Sequence, residues 1–142
     1  MILLDTNVVS EMMRPQPEPR VVAWIAAQPI ESVATTTITL AEIGIGLARM
    51  PEGRRRITLE NRFRYFVSRG LGPRVFGFDM AAATVYGDMI AARERAGRPL
   101  KGFDGLIAAI AKARGAAIAT RNVADFNGCG VDTLDPWKAS GP

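Results

Sequence analysis

The chain has 142 residues, 48% of them apolar and 23% charged, the balance of one folded domain rather than a disordered segment. It contains no histidine and a single cysteine, Cys129, which excludes His-based triads, His-ligated zinc, intrachain disulfides and Cys-rich metal sites. The formal net charge is +4, and all but three of the 18 basic residues (Lys101, Lys112 and Lys138) are arginine, so the surface suits phosphate or an acidic partner.

In chain order, Ile2-Leu3-Leu4 reads as a short buried strand that ends on a polar residue, Asp5. Thr6 or Asn7 is placed to cap a helix through Met13. Pro15, Pro17 and Pro19 punctuate a loop, and Pro19 opens a helix through Trp24 and Ala27 that Pro29 closes. Ser32–Thr36 is a second strand. Thr37 or Thr39 caps the following helix, on which Leu40, Ile43 and Leu47 repeat at helical spacing up to Met50. Pro51-Glu52-Gly53 breaks the pattern. A basic amphipathic helix then runs from Arg54 to about Arg69, with Ile57, Phe63, Phe66 and Val67 as its apolar side.

Gly70–Pro73 is a turn and Arg74–Phe78 a third strand. Asp79 caps a long helix to Arg95, and Gly97-Arg98-Pro99 ends it. A helix from Phe103 to Arg114 turns Leu106, Ile107, Ile110 and Ala111 inward and stops at Gly115. Ala116–Thr120 is a fourth strand, Val131–Leu134 a short fifth, and the segment from Pro136 reads as a frayed tail. The alternation of strands and helices predicts an α/β fold: a single domain over 1–135 with a short central parallel sheet of four to five strands, helices on both faces, and a tail over 136–142. The apolar start meets Asp5 at once, so no signal peptide is expected. No run of 18 apolar residues is present, so no membrane span is expected, and the single cysteine suits a reducing, cytoplasmic setting.

In an open parallel sheet, ligands bind beyond the carboxyl ends of the strands. Asp5 falls at the end of the first strand and Asp125 just past the fourth. Glu42 lies about one turn into the helix after the second strand, and Asp104 opens the helix before the fourth. Each has a bland reading: Asp104 as a helix cap, Asp5 as a turn anchor, Asp125 as a loop carboxylate. Glu42 is harder to dismiss, because it sits among Leu40, Ala41, Ile43, Gly44 and Ile45, where an acid is costly unless solvated or paired. Four acids meeting at one edge repel one another and call for a cation. A hard divalent ion such as Mg²⁺ or Mn²⁺ suits oxygen donors and, facing a basic surface, suits phosphodiester hydrolysis.

The joint pattern resembles PIN-domain ribonucleases, and among them VapC-type toxins of the FitB-like branch. The resemblance rests on Asp5-Thr6-Asn7, on Glu42 within Thr39-Leu40-Ala41-Glu42-Ile43, on Asp104 ahead of Ile107-Ala108-Ala109, and on Thr120-Arg121-Asn122 leading to Asp125-Phe126; it runs from Met1 to about Leu134. It implies a metal-dependent endoribonuclease toxin in which Asp5, Glu42, Asp104 and Asp125 surround Mg²⁺ or Mn²⁺. Asp5 and Asp104 would be the direct ligands, and Thr6, Thr120 and Asn122 supporting polar groups. It also implies a VapB-type antitoxin that covers the site, RNA as substrate, a homodimer within a larger toxin–antitoxin assembly, operator DNA read only through the antitoxin, and no membrane.

After Asp104 that family more often has Ala, whereas this chain has Gly105. Glycine in a first helical turn costs about 1 kcal/mol against Ala and is expected to loosen the presentation of Asp104. Gly105 is the sequence support for the competing reading, an inactive PIN-like binding module in a transcriptional repressor complex. An aspartyl-phosphate receiver at Asp5 is weaker, because the first strand brings no second acid beside it. Ser10 and Ser32 lack a base, and Gly44-Ile45-Gly46 falls inside a helical pattern with no third glycine to make a dinucleotide loop. The Arg54–Arg56 run is either a solvated helix face or an RNA-contacting edge.

Overall fold

A computed structural model describes residues 1–140. Its elements in chain order are β1 (Ile2–Leu4), α1 (Thr6–Met13), α2 (Pro19–Ala26), β2 (Val33–Thr36), α3 (Thr37–Ala48), α4 (Arg54–Tyr65), β3 (Val75–Phe76), α5 (Met80–Arg95), α6 (Asp104–Arg114), β4 (Ala117–Ala119) and β5 (Thr133–Leu134). All strand pairings are parallel, in the order β3-β2-β1-β4-β5, with Leu3 opposite both Ala34 and Ile118. The order reverses direction at β1, so the gap between the helices that follow β1 and precede β4 opens at the carboxyl ends of those two strands.

The two-residue period of the strands builds the core. Leu3, Ala34 and Ile118 face one layer with Ala82, Met89, Ile107, Ile110 and Phe126. Leu4, Val33 and Ala119 face the other with Val8, Val9, Val21 and Ile43. Both faces are therefore covered, as the near-continuous apolar strands require.

Local capping differs from the sequence reading in two places. Asp5, rather than Thr6 or Asn7, caps α1, because it is the single residue between the end of β1 and the first helical residue, Thr6. Thr36, not Thr37 or Thr39, caps α3: its hydroxyl accepts from Thr39 N at 3.0 Å. Asp79 caps α5 and Gly115 ends α6 in the left-handed region, both as the sequence predicts. Ile57 on α4 is 56% exposed, and the helix instead packs through Leu59 and Phe63.

The predicted tail is anchored rather than frayed as far as it is described. Pro136 is buried, and Trp137 packs against the α1–α3 layer with the Arg121 guanidinium 5.2 Å from its ring centre. Residues 141–142 of that tail lie outside the described residues. Among the described residues no helix is long and apolar enough to cross a membrane.

Candidate acidic site at the sheet edge

Asp5 occupies the junction between β1 and α1, held by the sheet: its N–H donates to Ala119 O at 2.9 Å. The residue is 6% exposed, and both carboxylate oxygens accept hydrogen bonds. One oxygen accepts from Thr6 N at 2.8 Å; the other accepts from Thr120 Oγ1 at 2.7 Å and Asn7 Nδ2 at 3.1 Å. Thr120, buried at the end of β4, also accepts from Asn7 Nδ2 and from Asn122 N, and Asn7 Oδ1 accepts from Arg121 N. The β1–α1 junction and the segment after β4 are thus tied into one polar network. Burial pushes the Asp5 carboxyl above its ordinary range, and the bonds from Thr120, Thr6 and Asn7 pull it only part of the way back; the charge of Asp125 adds to the rise.

Glu42 reaches the same edge from α3. Thr6 Oγ1 donates to its Oε1 at 2.9 Å, linking α1 to α3. Burial raises its carboxyl, the Thr6 bond opposes this, and the charge of Asp5 raises it again. Asp104 stands at the first position of α6, where the helix N-terminus favours an anion. It is not a cap: Phe103 holds that position, and among the described residues no donor reaches the Asp104 carboxylate. Its carboxyl is pushed from 3.8 up to about 6, first by burial and then by the charges of Asp5, Asp125 and Glu42, with Arg93 opposing.

The four sequence-predicted acids therefore share one electrostatic neighbourhood. Thr6, Thr120 and Asn122 belong to its hydrogen-bond network, although Asn122 takes part through its backbone. Glu11 makes the contrast. It is as buried as Asp5, yet it ties down the loop after α1 by accepting from Glu18 N at 2.7 Å and Arg14 at 3.2 Å. Asp104 differs from both: it has three acidic neighbours and, among the described residues, no hydrogen-bond donor on its carboxylate.

The donor set is entirely oxygen, which fits a hard divalent ion. Among the described residues no three acids already stand at spacings that would hold an ion between them.

Two clefts open on this edge. A groove of about 700 Å³ runs from Thr6 and Glu42 between α1, α3 and α4, with Arg14, Arg54, Arg55 and Arg62 among its lining. A smaller cleft of about 280 Å³ lies against Asp104 and Asp125, with Arg98 and Lys101 in its wall. The Arg54–Arg56 run divides accordingly. Arg54 and Arg55 line the groove, whereas Arg56 bonds Glu60 at 2.7 Å and the Met50 carbonyl at 3.3 Å, joining α4 to the end of α3.

Sequence reasoning missed two features. Arg93 is buried on α5 and donates to the carbonyls of Asn127 and Asp125. Its position four residues after Met89, on the same buried stripe, is the signal that could have found it. Gly105 does not simply loosen α6. A Cβ there would lie 2.9 Å from Ile90 Cδ1 and 3.4 Å from Tyr86, so the glycine lets α5 pack close against the first turn of α6.

This fold and site define a doubly wound parallel α/β domain with an anionic cleft at its topological switch point. The PIN domain family matches residues 2–127. The chain is 43% identical over 138 residues to the VapC ribonuclease Y4jK of Sinorhizobium fredii, covering 97% of this chain and 99% of that one. It superposes on FitAcB from Neisseria gonorrhoeae with a TM-score of 0.89 at 36% identity, covering 98% and 100% of the two chains. A structure of FitAB bound to an IR36 DNA fragment matches with a TM-score of 0.90 at 36% identity, covering 99% and 98%. The chain belongs to the PIN domain family, in its VapC/FitB branch.

Proposed function

We propose that the protein is a metal-dependent endoribonuclease toxin of a VapBC-type module, hydrolysing RNA phosphodiester bonds and neutralised by a cognate VapB-type antitoxin. The observation that carries this reading is Asp104, an acid with no hydrogen-bond donor among the described residues, raised by burial and then by three other acids at the switch point of a PIN fold. Asp5 and Asp104 would hold Mg²⁺ or Mn²⁺, with Glu42 and Asp125 completing the anionic cleft. Bound there, the divalent ion would activate water and offset charge on the scissile phosphate.

The chain's own residues then have distinct tasks. Thr120, Thr6 and Asn7 fix the Asp5 carboxylate in one orientation, so no rotamer freedom is lost when a cation arrives. Thr6 holds Glu42 by one oxygen and leaves the other free to accept a proton from the attacking water, a role that Asp125 could share. Arg54, Arg55, Arg98 and Lys101 line the two clefts and offer phosphate contacts on either side of the acids. The products carry a 5′-phosphate and a 3′-hydroxyl.

The ribonuclease name of the Sinorhizobium relative, and the FitAB complex on DNA, support RNA as substrate and an antitoxin that brings the pair to operator DNA. A toxin homodimer within that assembly belongs to the same proposal. The inactive-module reading loses its sequence support, since Gly105 has a packing reason. The test is cleavage of structured RNA with Mg²⁺ or Mn²⁺, with and without EDTA. Cleavage should need the metal and disappear in Asp5→Asn; metal-independent cleavage, or full activity in that variant, refutes the mechanism.

A further inference from the structure

Arg93 is 6% exposed, and among the described residues no carboxylate lies within ion-pair distance of it. A buried guanidinium without a paired acid is costly and needs another source of compensation. Its hydrogen bonds go to the backbone instead. One terminal nitrogen donates to Asn127 O, and the other donates to Asp125 O at 3.1 Å. Its Nε has no partner. The two carbonyls bracket the end of the short helical turn Val123–Phe126, which carries Asp125. Arg93 also lines the same small cleft as Asp104 and Asp125, so its charge faces the two acids without bonding either carboxylate.

We propose that Arg93 is a positioning residue of the acidic site: its guanidinium fork clamps the Asp125–Asn127 turn to α5 and lends the cleft a fixed positive charge. The proposal rests on the reading of the acids as a cation site. Two carbonyls at fixed spacing match the rigid fork of arginine, whereas a lysine ammonium is a point charge that cannot span them in the same way. The clamp and the charge are therefore separable. Arg93→Lys keeps the charge and loses the fork; Arg93→Met loses both and keeps an apolar stem in the core.

Three measurements on the full chain test this: hydrogen exchange of the 123–129 segment, calorimetric Mn²⁺ affinity without RNA, and kcat and KM for RNA cleavage. In both variants the 123–129 segment should exchange faster while α6 keeps its protection. Arg93→Met should bind Mn²⁺ about five-fold more tightly, because a like charge has gone, and Arg93→Lys should match the wild type. In both variants kcat should fall about 10- to 100-fold, the usual cost of losing a group that orients a ligand, with KM unchanged. A merely structural arginine would lower the melting temperature alone. Unchanged exchange at 123–129, or Mn²⁺ affinity equal in all three proteins, overturns the proposal. If the wild type cleaves no RNA, the nuclease reading fails by itself, and the exchange and Mn²⁺ measurements still decide the role of Arg93.

Discussion

Thr120 Oγ1 donates to Asp5 Oδ2 at 2.7 Å, joining residues 115 positions apart at the ends of neighbouring parallel strands. The contact exists because β1 and β4 are in register, Leu4 opposite Ala119, so the next residue of each strand meets at the sheet edge. Thr120→Val keeps the shape and removes the hydroxyl. Asp5 then loses its shortest donor, and Asn7 and Asn122 lose an acceptor. A cost of about 1–3 kcal/mol is expected from urea unfolding, the range for a buried polar group left short of a partner. The Asp5 carboxyl should move further up, and cleavage should weaken more at pH 6 than at pH 8. A variant as stable and as active as the wild type at both values would contradict the role given to this bond.

Asp104 gives the metal-free protein a distinctive pH dependence. Folding raises its carboxyl from 3.8 to about 6, so in that window the folded chain holds a proton that the unfolded chain has released. The stabilisation is fully present below pH 3.8 and is lost as pH rises through about 6; Asp5 and Glu42 shift in the same direction. In EDTA the melting temperature should therefore be higher at pH 5 than at pH 7.5. Asp104→Asn should flatten that difference and melt higher than the wild type at pH 7.5. Adding Mn²⁺ at pH 7.5 should raise the wild-type melting temperature well above any rise in Asp104→Asn. A wild type that gains stability from pH 5 to pH 7.5 in EDTA would remove the acidic cluster as the cause.

The parts of the site that were legible in the sequence are those fixed by local rules. An apolar run that stops at Asp5, an acid stranded among apolar neighbours at Glu42, and acids flanking the fourth strand at Asp104 and Asp125 all follow from strand-end placement in a parallel sheet. What stayed hidden depends on contacts between distant segments. The Asp5–Thr120 bond needs the β1–β4 register. Arg93 looks like one more solvated arginine beside Arg95 and Arg98 until α5 is turned against the 123–126 helical turn. Trp137 sits in a segment read as a frayed tail, yet its ring closes the α1–α3 layer. Helix propensity alone misses the reason for Gly105, because the side chain it makes room for, Ile90, belongs to another helix.

That pairing of Gly105 with Ile90 can be measured. Ala at 105 gains about 1 kcal/mol of helix propensity but must displace the Ile90 terminal methyl from 2.9 Å. In the wild-type background the two effects offset, and Gly105→Ala should change stability by less than about 1 kcal/mol. In an Ile90→Val background the obstructing methyl is gone, so the same alanine should stabilise. The double-mutant cycle should show a favourable coupling of about 0.5–1 kcal/mol in thermal or urea unfolding. Simple additivity would mean that the helices do not meet at this point.

Trp137 joins the end of the described chain to the segment that follows β4. Its ring packs on the α1–α3 layer, and its carbonyl lies 3.5 Å from an Arg20 guanidinium nitrogen. Arg121, the residue after Thr120, places its guanidinium 5.2 Å from the ring centre. Trp137→Ala should cost about 1–3 kcal/mol, less than a fully buried aromatic because Trp137 is only partly buried. Most of that loss should come from packing, since an exposed cation–π contact is worth about 0.5–1 kcal/mol. Trp137→Phe should therefore recover more than half of the loss, and Arg121→Ala should be nearly silent in the Trp137→Ala background. If Trp137→Ala unfolds at the wild-type urea midpoint, the ring does not hold this segment to the core, and shortening the chain before Pro136 should be harmless as well.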